Sequence, residues 1–420
     1  MAGMSAEKQK LLDQIETDKD MLVGFFSKFV ATRSPNPPGD TREAVAHITR
    51  FLEANKLPHR LVAPDPLQAN VVGTIEGAGP GKHLVLNGHI DVFPVDESDT
   101  RWTHGAWSGA VADGKVWGRG SCDMKCGTTA SIMTYYYLSK IRNLWKGKLT
   151  LTCVSDEETF GPMGARYLMD HVPEALGDCL LNGEPSSPYT IRFGEKGPFW
   201  VEFQVKTRGG HGAYTHTSES ASKIASRFIA DLEAITELKA NMPDNVGRAL
   251  AAATKEMDRA MGEGAAAIVP KVTLNIGVVQ GGLKVNMIPD VVKIEADIRL
   301  PVGVTKEQVV AAIETIMKRH PQVTMREINF SAPSWCDPYS EMVEHLQANA
   351  GQLRPGLKPV PIVSLGGTDA RLWRYKKIPA YVYGPPPSGM GSYNEHVTID
   401  DFMHVVRTHV LSAYDYLSRS

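Results

Sequence analysis

Four short apolar runs constrain this fold more than any other feature of the chain. They lie at residues 70–75, 83–87, 149–154 and 178–182. Each is long enough for a strand and too short for a helix, and helical patterns at 127–141 and 163–171 fall between them. Strands this apolar are buried on both faces, and strand–helix alternation supplies the covering helices. The expected class is α/β, with a mixed, mostly parallel sheet flanked by helices. Upstream, 6–31 and 40–54 carry apolar residues at helical spacing, and the run Ser34-Pro35-Asn36-Pro37-Pro38-Gly39 breaks them.

The pattern changes near Pro198. A strand is expected at 199–206, an amphipathic helix at 218–238, helical character at 240–268, and strands at 271–279 and 291–300. In the last, Val292, Ile294, Ala296 and Ile298 alternate with Lys293, Glu295, Asp297 and Arg299. A period of two gives one buried and one wet face. These elements imply a small α+β domain at 198–301, inserted between 1–197 and 302–420, which form one discontinuous catalytic domain. The second part opens with Thr305-Lys306-Glu307-Gln308, which fits a capping box for a helix to about 319. Helices at 339–352 and 398–417 and a strand at 379–383 follow. A length of 420 residues suits two domains.

Composition excludes several function classes. The formal net charge of −2 provides no global field for nucleic acid or an anionic membrane. No apolar stretch approaches the roughly 20 residues of a membrane span. The charged N-terminus lacks the pattern of a secretory signal, so a cytoplasmic location is expected. Five scattered cysteines argue against a disulfide framework.

Acids and a histidine stand just past the strand candidates, where sites form in open α/β sheets. His89 in Asn87-Gly88-His89-Ile90-Asp91 is a candidate metal ligand, with Asp91 as acceptor for its second ring N–H. A lone His-x-Asp is weak evidence and reads more readily as a satisfied structural histidine. Asp123, in the Gly-rich loop 118–125, could instead cap the helix after it. Cys122 and Cys126 are better read as packing than as a metal pair. Asp156-Glu157-Glu158 could be a solvated loop, or acids whose repulsion a cation offsets while one stays free as a base. Glu184 is a fourth strand-end acid. Taken as a series, nitrogen and carboxylate donors of this kind suit zinc, cobalt or manganese.

With these segments in view, the chain resembles the metallopeptidase family of acetylornithine deacetylase, succinyl-diaminopimelate desuccinylase, aminoacylases and glutamate carboxypeptidase. The resemblance runs from about residue 20 to 417. It is carried by NGHIDVFP (87–94), GRGSCDMKCG (118–127), SDEETFG (155–161), NGEPS (182–186), GGHGAYTH (209–216), VNMIPD (285–290), GGTDAR (366–371) and NEHVTIDDF (394–402). It implies a di-zinc aminopeptidase-like catalytic domain with an inserted lid and dimerisation domain. It implies that Asp123 bridges two metals, that His89 and Glu184 complete one site, and that Glu158 serves the other. Glu157 would be the general base and Asp91 the residue that orients His89. His211 would reach the neighbouring subunit's site and stabilise an oxyanion. Asn286 and Arg299 would hold a substrate carboxylate, and Gly366, Gly367, Thr368 and Arg371 would line the substrate. From the residues alone, Asn286 reads as a turn and Arg299 as a surface ion pair.

One position departs from the family pattern. A metal-binding histidine is expected about four residues before the Asn394-Glu395 pair, and Gly391 stands there. His396 is the nearby substitute, or else a residue flanking the helix capped at Thr398. The resemblance therefore implies one or two divalent ions, zinc foremost and manganese or cobalt next. The expected activity is hydrolysis of an N-acyl amino acid or small peptide-like amide carrying a carboxylate, by a homodimer joined through the lid domain. One alternative is an aromatic or xenobiotic substrate, with Trp107, Trp117, Phe160, Trp335 and Tyr393 as candidate lining. Another is a non-catalytic binding relative, which Gly391 favours and Glu157 opposes.

Overall fold

The computed structural model describes residues 4–418 and divides the chain into two compact units. The first takes the chain up to Phe193, Cys336–Ile362 and the chain from Thr368 onward. The second takes Gly194–Trp335 and Val363–Gly367.

At the centre of the first unit are four parallel strands, in the order Lys148–Val154, His83–His89, Cys179–Asn182 and Ala380–Val382. Asn70–Glu76 and then Arg60–Val62 extend the sheet antiparallel on one side. The strand starting at Thr190 extends it antiparallel on the other. Leu84, Val85, Leu86, Leu149, Leu151, Leu180 and Leu181 have no exposed surface. Alternation sends Val85, Val154, Leu180 and Val382 to one face, where they meet Leu168, Met169 and Trp373 from the helices Ala165–His171 and Ala370–Tyr375. Helices Cys126–Lys140 and Ile399–Ser418 pack against each other and the strand His83–His89.

Parallel register brings three strand ends to one edge. Asn87 lies level with both Thr152 and Asn182. A buried polar ladder fixes that alignment, because Asn182 Nδ2 donates to Asn87 Oδ1 at 2.9 Å and Asn87 Nδ2 to Thr152 Oγ1 at 3.2 Å. His89 ends the strand His83–His89 and Asp91 follows it, Glu157 and Glu158 follow Lys148–Val154, and Glu184 follows Cys179–Asn182.

The second unit is a four-stranded antiparallel sheet in the order Thr273–Gly281, Val291–Leu300, Gly197–Lys206, Val323–Phe330. Val292, Ile294, Ala296 and Ile298 face a core that includes Phe199, Phe203 and Phe228. The expected boundary at 301 is corrected. The helix Lys306–Met317 and the strand Val323–Phe330 belong to this unit, because that strand pairs with Gly197–Lys206. The strand escapes detection because it is an edge strand with little burial, so its apolar alternation is weak. The capping box opens the helix, with Gln308 N–H donating to Thr305 Oγ1 and Thr305 N–H to Gln308 Oε1.

In the first unit, two glycines set the distance between the helix that follows Asp123 and the turn before Glu184. A Cβ on Gly127 would lie 2.0 Å from Gly183 O, and a Cβ on Gly183 would lie 2.4 Å from Gly127 Cα. Backbone meets backbone there, so neither side can yield cheaply. Gly127→Ala should lower stability by roughly 1–3 kcal/mol, the usual cost of overpacking. It should also weaken metal binding by moving Glu184. Thermal melts and chelator competition measure both, and a variant with native values on both would contradict the packing argument.

Candidate metal centre

His89 ends its strand fully buried, and hydrogen bonds on both sides fix it. Thr128 Oγ1 donates to its carbonyl at 2.7 Å. Its Nδ1 lies 2.8 Å from the Asp91 carbonyl and 3.6 Å from the Asp91 carboxylate. The expected carboxylate relay is therefore corrected, since the main chain of Asp91 orients the ring. Nε2 is left to face Asp123 Oδ1 at 3.1 Å and Glu184 Oε1 at 3.4 Å. The Asp91 carboxylate instead accepts the N–H groups of Glu157 at 3.3 Å and Glu158 at 3.1 Å.

Asp123 does not cap the helix Cys126–Lys140, whose N-cap is Lys125. A residue 272 positions away in sequence holds its loop. Glu395, fully buried, accepts the N–H groups of Cys122 at 2.9 Å and Asp123 at 3.1 Å. Arg119 donates to the other Glu395 oxygen at 2.6 Å. Glu184 N–H donates to Asn182 Oδ1 at 2.8 Å, which ties that acid to the polar ladder. Asp156, at φ +68°, turns the chain so that Glu157 and Glu158 point inward.

Donor atoms of His89, Asp123 and Glu158 lie within 4.8 Å of one another, as do those of His89, Glu157 and Glu184. Buried oxygens Oε1 of Glu157 and of Glu158 have no hydrogen-bond partner among the described residues. Burial pushes Glu157 up to about 8 and, with the charge of Asp123, Glu184 up to about 7. Burial and then Asp123 also raise Glu158. Burial opposes charge on His89, yet Glu184, Asp123 and Asp91 outweigh it and raise its pKa well above the ordinary value. Burial also opposes charge on Asp123, but its hydrogen bond and charge pairing with His89 hold it low. So much negative charge in so dry a place calls for a cation. The nitrogen and carboxylate donors fit a divalent ion, and they fall into two overlapping groups, His89 with Asp123 and Glu158 and His89 with Glu157 and Glu184.

Of the expected substrate-lining residues, Arg371 is only 1% exposed. It lies 3.6 Å from Glu157 Oε1, donates to the Thr368 carbonyl at 2.5 Å, and stacks over Phe160. Arg371 thus contacts the expected base. Thr368 Oγ1 accepts the Ala370 N–H, while Gly366 is exposed and Gly367 half-buried. In the second unit, His211 and Asn286 are neighbours, as Gly212 N–H donates to the Asn286 carbonyl. Arg299 Nε and Nη2 are paired with Asp297 at 2.8 and 2.9 Å, so its fork already has a carboxylate. His396 is not in either donor cluster. Its ring packs 4.5 Å from that of Trp117, and Nδ1 meets the Asn394 carbonyl at 2.9 Å. Thr398 caps the next helix through Asp401 N–H. Cys122 and Cys126 are buried, and burial raises both thiols.

Sequence reasoning missed Glu395, Arg119, Asn36 and Asp369. Asp369 is buried beside this group, and burial followed by the charge of Glu157 pushes it up to about 7. The Asn394-Glu395 pair stood out as a motif, but nothing local announced that its glutamate supports Asp123.

The chain is similar to known proteins along most of its length. Residues 85–415 match the profile of Peptidase family M20/M25/M40. A succinyl-diaminopimelate desuccinylase of Cereibacter sphaeroides is 27% identical over 332 residues, 76% of this chain and 80% of that protein. The crystal structure of a M20 family metallo-carboxypeptidase, Sso-CP2 of Sulfolobus solfataricus, superposes with a TM-score of 0.78 at 18% identity, covering 94% of this chain and 98% of that one. The Bacillus subtilis YXEP protein, described as a dinuclear metal binding peptidase, superposes with a TM-score of 0.66 at 16% identity, covering 96% and 99%.

The raised groups fix the sign of a pH effect. Without metal, the folded protein keeps protons on Glu157, Glu184 and His89 that the unfolded chain releases at lower pH. Stability rises with pH only where the unfolded state binds more protons, and here the folded state does. Relative to the zinc-saturated protein, the metal-free protein should therefore lose stability as pH rises from about 5 to about 8, while buried groups away from the centre, such as His47, His404 and His409, contribute alike to both. Melting temperatures across this range, with and without zinc, measure it. A metal-free profile that runs parallel to the zinc-saturated one would contradict the assignment.

Proposed function

The chain belongs to peptidase family M20/M25/M40 and is a metal-dependent amide hydrolase, and from that premise we propose that it deacylates an N-acyl amino acid or cleaves a small peptide-like amide. The observation that carries the reading is the placement of Glu157. It sits among the metal donors with one oxygen free of hydrogen bonds, and its neighbour Glu158 belongs to a donor cluster. A relative named a desuccinylase and a structural neighbour named a carboxypeptidase support this substrate class.

His89, Asp123 and Glu184 would hold one divalent ion, and Asp123 and Glu158 a second. Zinc is the first choice, with manganese or cobalt as alternatives. When bound, such ions polarise an amide carbonyl and acidify a water. Glu157 takes a proton from the attacking water at its free Oε1 and returns it to the leaving nitrogen. Arg371, beside that oxygen, fixes the direction from which Glu157 works. Thr368 holds Arg371 in place.

The inserted unit acts as lid and dimerisation surface in this proposal. Supporting that role, Thr273–Gly281 is an edge strand, and Val279, Leu283, Val285 and Met287 are exposed apolar residues in the same unit. His211 would stabilise the developing oxyanion in the site of a second subunit. Asn286 and Arg299 would take the substrate carboxylate, and for Arg299 that requires Asp297 to yield its place. Gly367 would line the substrate. The location proposed is the cytoplasm. No helix among the described residues is long and apolar enough to cross a membrane.

Glu157→Gln should lose at least about 100-fold in kcat, the low end for a lost general base, while keeping its metal. Mixing that variant with His211→Ala should restore activity, because a mixed dimer has one site with Glu157 from one chain and His211 from the other. Full activity of Glu157→Gln would remove it as the base, and no complementation would remove His211 as a residue acting across subunits. A substrate panel tests the class. N-acyl amino acids and dipeptides should turn over faster than anilides without a carboxylate, and the reverse order would favour an aromatic amide.

A further inference from the structure

The Pro-rich run 34–39 carries a side chain that reaches the metal loops. Its backbone is stitched to the segment just past His89. Asn36 N–H donates to the Val92 carbonyl and Val92 N–H to the Ser34 carbonyl, both at 2.9 Å. Ser34 Oγ donates to the Ile90 carbonyl at 2.7 Å. Asn36 is 4% exposed. Its Nδ2 stands between two buried carboxylates, 2.9 Å from Asp91 Oδ2 and 3.1 Å from Asp156 Oδ1.

Each of those carboxylates grips the turn that carries Glu157 and Glu158. Asp91 takes the N–H groups of both glutamates. Asp156 takes the Thr159 hydroxyl at 2.6 Å and the Met163 N–H at 3.1 Å. Asp156 holds a left-handed φ of +68°, a conformation that persists in a non-glycine residue only where the surroundings over-determine it. Asn36 is the one side chain that bonds to both carboxylates at once among the described residues.

The residue type suits the task. An asparagine amide has two N–H groups on one nitrogen, one for each acceptor. It is also neutral. A lysine or arginine there would satisfy the acids and place a fixed positive charge beside a centre that must attract divalent ions. An aspartate would add a third repelling carboxylate beside two that are already buried.

We infer that Asn36 is a positioning residue for the reaction, which clamps the Asp91 loop to the 156–158 turn and so sets Glu157 and Glu158 against His89. Its kinetic consequence rests on the hydrolytic reading of Glu157. Its structural consequence does not.

The test uses Asn36→Leu, which removes both donors, and Asn36→Ser, which keeps one. Three readouts are taken on the full chain: kcat and KM, zinc affinity by chelator competition, and hydrogen exchange at the Glu157 and Glu158 amides in metal-free protein. Loss of such an outer support typically costs about 10–100-fold, so Asn36→Leu should lose that much in kcat or zinc affinity while KM stays within about twofold. Exchange at the two amides should accelerate, and exchange within the strands His83–His89 and Lys148–Val154 should not change. Asn36→Ser should fall between wild type and Asn36→Leu. Combining Asn36→Leu with Asp156→Ser should cost less than the sum of the two single losses, because the bond between them is counted in both.

Unchanged kcat, zinc affinity and amide exchange in both variants would overturn the inference. So would exchange that accelerates equally throughout the sheet, which marks general fold support. If Asn36→Leu does not fold, Asn36→Ser decides on the same readouts. Faster exchange and weaker zinc binding in a protein that hydrolyses no amide would leave the clamp standing and remove the hydrolytic reading instead.

Discussion

Repulsion among Asp123, Glu157, Glu158 and Glu184 is the interaction around which the first unit is organised. These acids converge on one buried histidine, with Glu157 and Glu184 buried and Asp123 and Glu158 partly so, and water screens them poorly there. In low dielectric, like charges a few ångströms apart cannot all ionise. Protons or cations must make up the difference, and the raised state of His89 is one form of that compensation. A divalent ion is the better one, because it compensates two charges with a single centre and leaves Glu157 available as a base.

Holding such a group in place takes a stiff frame, and most of that frame is backbone. The ladder through Asn182, Asn87 and Thr152 aligns three strand ends. Gly127 and Gly183 let a helix and a turn meet without side chains between them. Main-chain N–H groups of Cys122, Asp123, Glu157 and Glu158 are each tied to a buried carboxylate. Glu395 in turn is offset by Arg119, and Asp91 and Asp156 by the neutral amide of Asn36. Asp91 also stands 3.6 Å from His89 Nδ1, so its charge adds to that of the acids around the histidine.

Much of this was legible in the chain. The parallel strands, the helices between them and the alternation in Val291–Leu300 follow from periodicity, which acts over a few residues. His89, Asp123, Glu157, Glu158 and Glu184 could be nominated because they stand just past apolar runs. The late end of the inserted unit was not legible, because the half-exposed edge strand Val323–Phe330 lacks a buried-strand pattern. The ion pair at Arg299 was legible from the residues alone, and Asp297, two positions before it, occupies the guanidinium.

By itself the sequence determined the fold class, the central strands of the first unit and the chemical type of the candidate metal donors, since each is written in local spacing. The tertiary structure decided which group holds which. It gave the ring N–H of His89 to a carbonyl instead of a carboxylate, Arg371 to Glu157, Glu395 to the Asp123 loop, and Asn36 to two acids at once. Most of those partners lie tens to hundreds of residues apart in the chain. Contacts at that range arise from sheet register and backbone packing, which no window of neighbouring residues encodes.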